Sequence, residues 1–308
     1  MIKRGSDLVS YSIGVDIGGT KIAIAIIEFE GRIVKNEIIK TDTTVEPNLI
    51  IEKIVETITR MMEDTGVNIR DLRGIGIGAP GPLDSKRGLI LGPTNLPKWT
   101  NVSIVESVQA YIPVPVLLEN DANVAAIAEK RYGSAKNNSD FVYVTISTGI
   151  GAGYFINDKL VRGSSGNAGE IGHTVVDPSY GTCDCGQDGC LGMIASGTAI
   201  ARRGSDIMGR ELTTKQVFKM FKEGHPEISK YMMDVFRTIG VACVSIINNF
   251  DPEKIVIGGG VAKEGEVLLE GVREYVRSFA LSNEGRKTLI VQATLDQNAG
   301  VVGAAALV

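Results

Sequence analysis

Residues 11–27, Tyr-Ser-Ile-Gly-Val-Asp-Ile-Gly-Gly-Thr-Lys-Ile-Ala-Ile-Ala-Ile-Ile, decide the fold. An apolar run at 11–15, a glycine turn and a second apolar run at 22–27 predict a β-hairpin. Gly31 allows another turn before a third run at 33–41. Pro47 opens a helix in which Ile50, Ile51, Ile54, Val55, Ile58, Met61 and Met62 recur at helical spacing, and Gly66 ends it. A short strand at 74–78 enters Ala79-Pro80-Gly81-Pro82-Leu83-Asp84, too rich in Pro and Gly to predict regular structure. The run 113–119 predicts a buried strand ending in Asn120-Asp121-Ala122-Asn123, with an alanine-rich helix behind it.

The second half repeats the theme. A strand at 141–147 ends at Thr148-Gly149-Ile150-Gly151, and a long amphipathic helix over 228–249 leads to a strand at 254–257 and Gly258-Gly259-Gly260. After another helix comes a strand at 288–293, then a small-residue segment to the end. The fold class is α/β, and the repetition implies a duplicated unit. The boundary is expected near residue 120: a first lobe over 1–120, a second over 121–308, and a C-terminal helix over about 297–308 packing back on the first.

Composition narrows the function classes. Hydrophobic content of 44% and charged content of 22% are those of an ordinary globular chain long enough for two domains. A net charge of −4 gives no electrostatic footprint for nucleic acid. No membrane-spanning run and no signal-peptide block are expected, which with reduced thiols points to the cytoplasm.

Three of the four cysteines lie in Cys183-Asp-Cys185-Gly-Gln-Asp-Gly-Cys190, ten residues after His173 in Gly169-Glu170-Ile171-Gly172-His173. Three thiols and one imidazole are a full tetrahedral Zn²⁺ ligand set, and a closed set makes the metal structural. Glycines 186 and 189 permit the sharp turns this needs. Free thiols or a redox pair are the alternatives. Cys243 sits in the apolar helical run and reads as a small core residue.

The glycine turns suit phosphate, because glycine lets backbone N–H groups approach oxygen closely. The first carries Asp16, Gly18, Gly19, Thr20 and Lys21: a carboxylate able to hold Mg²⁺ through water, a hydroxyl and an ammonium. The second offers Ser147, Thr148, Gly149 and Gly151, and the third, at 258–260, suits a flat nucleoside lying on backbone. No P-loop pattern is present. Asp121, at a strand-to-helix junction, reads either as a helix cap or as a general base taking a proton from a hydroxyl that attacks phosphorus.

Taken in order, Asp-Ile-Gly-Gly-Thr-Lys, Gly-Ala-Pro-Gly-Pro-Leu, Glu-Asn-Asp-Ala-Asn, Ser-Thr-Gly-Ile-Gly-Ala-Gly, Gly-Glu-Ile-Gly-His, the cysteine knuckle and Gly-Gly-Gly-Val resemble the ROK family of sugar kinases and repressors. The resemblance implies two actin-like ATPase (ribonuclease H-like) lobes around a central cleft, with ATP and Mg²⁺ as cofactors. It implies that Asp16, Gly18, Gly19, Thr20, Lys21, Thr148, Gly149 and Gly151 serve the phosphates, and Gly259 and Gly260 the nucleoside. Asn95, Asn120, Asp121, Glu170 and His173 would bind sugar hydroxyls, and a homodimer is expected. Trp99 is expected to pack the Asn95 loop.

One departure stands out. Where the family usually has a glutamate two residues after the last knuckle cysteine, this chain has Gly192. Loss of such a charge-assisted hydrogen bond is worth roughly 1.5–3 kcal/mol, and it opens space. The expected activity is phosphorylation of a hexose 6-hydroxyl, glucose first, with N-acetylmannosamine and N-acetylglucosamine as alternatives. A sugar-sensing regulator is disfavoured because 15 residues before Asp16 are too few for a helix-turn-helix domain. An inactive sugar-binding protein is the third reading.

Overall fold

The apolar alternation of the sequence becomes two five-stranded sheets of identical topology. They are seen in a computed structural model that describes residues 10–295 and 298–308. The first nine residues of the expected N-terminal lobe, and residue 297 at the expected start of the last helix, lie outside the described residues.

In the first unit β1 (Tyr11–Ile17), β2 (Lys21–Glu28) and β3 (Ile33–Lys40) form an antiparallel meander. Helix α1 (Pro47–Thr65) leads to β4 (Leu72–Ala79), parallel to β1. A small hairpin of β5 (Leu83–Asp84) and β6 (Leu89–Ile90), α2 (Ile104–Tyr111), β7 (Val116–Asn120) and α3 (Asp121–Tyr132) follow. The sheet order is β3-β2-β1-β4-β7. The hairpin corrects the expectation of an irregular 79–84 loop. Leu83 is buried in the core, so tertiary packing wins over local Pro and Gly content.

Helix α1 starts where proline's missing N–H costs nothing and stops where Gly66 takes φ 70°, donating its N–H to the Glu63 carbonyl. Its apolar stripe (Ile50, Ile51, Ile54, Ile58, Met61) packs with Ile13, Val15, Ile22, Ile24 and Ile26 of the sheet.

The second unit holds β8 (Phe141–Ile146), β9 (Ile150–Ile156), β10 (Lys159–Leu160), α4 (Leu191–Ala195), α5 (Gly197–Met208), α6 (Thr214–Lys222), α7 (Pro226–Phe250), β11 (Lys254–Gly258), α8 (Glu266–Phe279) and β12 (Leu289–Gln292). Its order, β10-β9-β8-β11-β12, repeats the first: three antiparallel strands, then two parallel ones. Duplication of this sheet is the arrangement expected of actin-like ATPase, ribonuclease H-like lobes. Helix α7 is long and apolar enough to cross a membrane by length and composition, contrary to the expectation that no run is. Its apolar face (Ile228, Met232, Val235, Phe236, Ile239, Cys243, Ile247) is instead the centre of this unit's core.

Helix α9 (Ala299–Ala305) belongs to the first unit and lies against α3, β1 and β4. The approach is backbone to backbone. A Cβ at Gly14 would overlap the Val301 carbonyl, one at Gly76 the Ala304 carbonyl, and one at Gly303 the Val124 carbonyl.

The units divide later than residue 120. The first comprises residues to Tyr132, then Arg162–Ala168 and the C-terminal segment; the second comprises Gly133–Val161 and Gly169–Asp296. Helix α3 stays with the first unit because Val124 and Ala128 pack on Gly303 of α9.

Candidate active site

In the first unit the carboxyl ends of three parallel strands gather the candidate residues, the edge at which open α/β sheets bind ligands. Asp16 of β1 stands in register with Gly78 of β4, and Ala79 of β4 with Asn120 of β7. The turn after β1 is closed by the Gly18 N–H donating to the Lys21 carbonyl (3.0 Å). Thr41 pins it from β3's end: its hydroxyl donates to the Gly18 carbonyl (2.7 Å) and its N–H to the Thr20 carbonyl (3.1 Å). Thr20 and Lys21 remain exposed. Burial pushes the Asp16 carboxyl up to about 6, against the opposing effect of the Lys21 ammonium. Gly300, in the first turn of α9, would collide with that carboxylate if it carried a Cβ.

Asn95 joins this edge. A Cβ on Gly19 would lie 3.1 Å from both Asn95 Cβ and its carbonyl oxygen, so only glycine lets the two segments meet without adjustment. The Asn95 side chain is exposed while Leu96 and Trp99, 0% and 1% exposed, anchor its loop. Trp99 is therefore a packing residue, as expected.

In the 119–123 turn two neighbouring side chains serve the head of α3. Asn120 Oδ1 accepts from the N–H groups of Ala122 (2.9 Å) and Asn123 (3.3 Å). The Asp121 carboxylate is exposed at the head of α3 and accepts from the Ala122 N–H (2.7 Å).

Beneath it lies Glu119, which the sequence reading passed over. Its Oε1 accepts from the Asn120 N–H (3.0 Å) and Asn123 Nδ2 (3.0 Å), and its Oε2 from Arg162 Nε (2.6 Å). Asn123 is fully buried and its Oδ1 has no donor among the described residues, a cost of about 1–3 kcal/mol. The available signal was a carboxylate inside a run that otherwise reads as buried strand.

In the second unit three turns meet at the ends of β8 and β11. The Ser147 N–H donates to the Gly149 carbonyl (2.8 Å), leaving Thr148 and Gly149 exposed. Gly151 lies within β9, opposite Thr145, rather than in the turn. Gly259 has φ 85°, and a Cβ there would come within 2.5 Å of the Ile146 carbonyl; one at Gly260 would reach 3.6 Å from Ser147 Oγ. The sequence reading also missed Ser196-Gly197. Ser196 Oγ caps α5 through the Ala199 N–H, and the Gly197 N–H donates to the Ser147 carbonyl (2.7 Å).

The 169–173 turn is fitted edge-on against β9. Side chains at Gly169 (φ 107°) or Gly172 would overlap the carbonyls of Ala152 and Ile150, and the turn leaves Glu170 and His173 exposed. His173 Nδ1 is 3.6 Å from Cys183 Sγ, Cys185 Sγ is 3.6 Å from Cys190 Sγ, and the four ligand atoms all lie within 4.8 Å of one another. Tetrahedral Zn²⁺ with bonds of about 2.3 Å to sulfur separates its thiolates by roughly 3.8 Å, so the donor set fits that ion. Gly186 (φ 90°) and Gly189 (φ 75°) make the loop, and the Cys183 N–H donates to the Gln187 carbonyl (2.8 Å). The Gln187 N–H holds the Cys185 thiol down to about 6, whereas burial pushes Cys190 up to about 12. With Nδ1 turned to the sulfurs, His173 keeps Nε2 on the opposite side of its ring. Gly192 on α4 adjoins this turn: a Cβ there would sit 3.2 Å from the Gly172 carbonyl. Cys243 is buried in the core away from these ligands, its thiol pushed up to about 12 by burial.

Residues 12–308 match the model of the ROK family. A glucokinase of Halalkalibacterium halodurans is 32% identical over 97% of this chain and 94% of its own length. Among solved structures, a ROK hexokinase from Thermus thermophilus has TM-score 0.82 and 33% identity, covering 96% of this chain and 97% of its own. A ROK glucokinase from Streptomyces griseus, in complex with glucose and AMPPNP, has TM-score 0.80 and 32% identity over 97% and 99%. Other roles occur among the relatives. A Listeria monocytogenes protein proposed as an N-acetylmannosamine kinase has TM-score 0.81 and 28% identity over 96% and 97%. A xylose repressor of Caldicellulosiruptor bescii is 29% identical over 97% of this chain and 78% of its own length.

Proposed function

This chain belongs to the ROK family, and from that premise we propose that it is an ATP-dependent sugar kinase acting on the 6-hydroxyl of a hexose, glucose first. The observation that carries the reading is the Asp121 carboxylate, exposed at the head of α3 directly after β7 and beside the Asn120 side chain, which shares the Ala122 N–H with it.

Asp121 accepts the 6-hydroxyl proton as that oxygen bonds to the γ-phosphorus and the bond to the ADP oxygen breaks. The attacking hydroxyl acidifies only as the new bond forms, so placement of the base matters more than its pKa. Asn95, Asn120, Glu170 and the Nε2 edge of His173 hydrogen-bond the sugar. The turn of Gly18, Gly19, Thr20 and Lys21, with Thr148, Gly149 and Gly151, holds the phosphates, while Gly259 and Gly260 lie under the nucleoside. Mg²⁺, when bound, neutralises charge on the transferring phosphates, and Asp16 is the carboxylate to hold it through water. Zn²⁺ is assigned to His173, Cys183, Cys185 and Cys190 as a structural cross-link beside Glu170. The proposal includes a cytoplasmic location and, as the resemblance implies, a homodimer.

Gly192 favours one second reading. Glycine in place of the usual glutamate beside the 170–173 turn removes a side chain there, so N-acetylmannosamine or N-acetylglucosamine is the alternative substrate. The test is ADP release with MgATP across glucose, mannose, fructose, galactose and the two N-acetyl sugars. Turnover on glucose is expected, and Asp121→Asn should lower it roughly 10²–10⁴-fold while sugar binding persists. Near-normal turnover of that variant removes Asp121 as the base. No turnover of the parent on any sugar brings forward the regulator or binding-protein reading.

A further inference from the structure

Glu119 presents a buried carboxylate with three donors and no direct part in the chemistry above. Its side chain is 1% exposed, whereas its ionic partner Arg162 is 48% exposed. One oxygen, Oε1, takes the Asn120 N–H and Asn123 Nδ2, which fixes both ends of the turn that carries Asp121. The other, Oε2, takes Arg162 Nε at 2.6 Å.

Arg162 lies 43 residues further on and heads a segment, Arg162–Ala168, that belongs to the first unit although the chain on either side belongs to the second. Within it the Ala168 N–H donates to the Arg162 carbonyl (3.1 Å), and Asn167 Oδ1 accepts from the Leu83 N–H (3.4 Å). The next residues are Gly169 and Glu170.

We propose that Glu119 and Arg162 form a positioning pair that seats the Asp121 turn and the segment leading to Glu170 on one carboxylate. The pair touches no reacting atom. It rests on the kinase reading only for its effect on turnover. Burial makes the arrangement demanding, because taking a carboxylate out of water is costly unless a partner and hydrogen bonds satisfy its oxygens. Misplacing a reacting group by about 1 Å can cost on the order of 100-fold in rate.

The test uses the full chain with its knuckle metal in place. Glu119→Gln and Arg162→Ala should each lower kcat roughly 10–100-fold with the KM for ATP unchanged, and Arg162→Lys, which restores the charge, should recover most of the loss. The double variant should be scarcely worse than either single one, as expected of two groups acting as one unit. Hydrogen exchange, read independently of turnover, should show faster amide exchange at 120–123 and 162–168 in Arg162→Ala and none at the Gly18–Lys21 turn. Losses that multiply in the double variant, kcat within twofold of the parent, or unchanged exchange in both segments would each overturn the pairing. A parent without sugar-dependent ADP release overturns the kinase reading and the catalytic half of this proposal, while the exchange result still decides whether the pair seats the two segments.

Discussion

At the residue scale, Asp16 is a candidate site carboxylate that folding takes out of water. Folding raises its pKa from 3.8 to about 6 through burial, so the folded state holds a proton the unfolded chain has released between those values. Stability from this group is therefore full below pH 3.8 and lost as pH rises through about 6. Asp16→Asn, free of Mg²⁺ and nucleotide, should raise the melting temperature at pH 8 by the equivalent of about 1–3 kcal/mol, an effect that shrinks as pH falls and vanishes below the unfolded pKa. A gain that does not vary with pH contradicts the assignment. Gly192 makes the other residue-scale prediction. Gly192→Glu restores a carboxylate beside the Gly172 carbonyl, and should raise the KM of any N-acetylated sugar relative to glucose, measured by ADP release. An unchanged ratio of the two KM values removes Gly192 from substrate selection.

At the element scale, glycines separate two kinds of demand. Gly66 ends α1 at φ 70° with nothing within 4 Å of where a Cβ would stand, so only backbone conformation selects it. Gly303 meets the Val124 carbonyl, so contact selects it. Gly66→Asn should cost little, since Asn tolerates the left-handed region. Gly303→Asn should cost about 1–3 kcal/mol or more through overpacking against backbone, read as a shift in the urea midpoint. Equal shifts for the two would refute the α9 packing argument. The cysteine knuckle brings His173, Cys183, Cys185 and Cys190 together as a candidate metal site. Chelation should release residues 173–190, speed their amide exchange and weaken sugar binding, because metal binding and local folding are coupled. Absence of zinc in the purified, untagged protein, with chelator-insensitive sugar binding, excludes the metal.

At the scale of the whole molecule, one sheet topology occurs twice, and each copy places its candidate residues at the ends of its first and parallel strands. In the first unit these are Asp16 and Asn120; in the second, Ser147 and Gly258. Function on this plan depends on turns, which are free to differ, while the sheets repeat. The first turn keeps a carboxylate and an ammonium, and the second keeps only hydroxyls and glycine. The division at Tyr132 follows from the same plan, because α3 buries its small residues on α9 rather than ending the first unit at β7.

The sequence by itself determined the strands around the glycine turns, the α1 and α7 helices, the duplication and the histidine–cysteine cluster, because period, turn chemistry and spacing are local properties. Only the tertiary structure decided that Leu83 joins a strand, that α3 belongs to the first unit, that Asn120 and Asp121 share the Ala122 N–H at the head of α3, and that Glu119 meets Arg162. Each of these depends on a partner distant in sequence or on competition between neighbours for the same N–H groups. Burial and pairing of that kind leave no periodic trace in the chain.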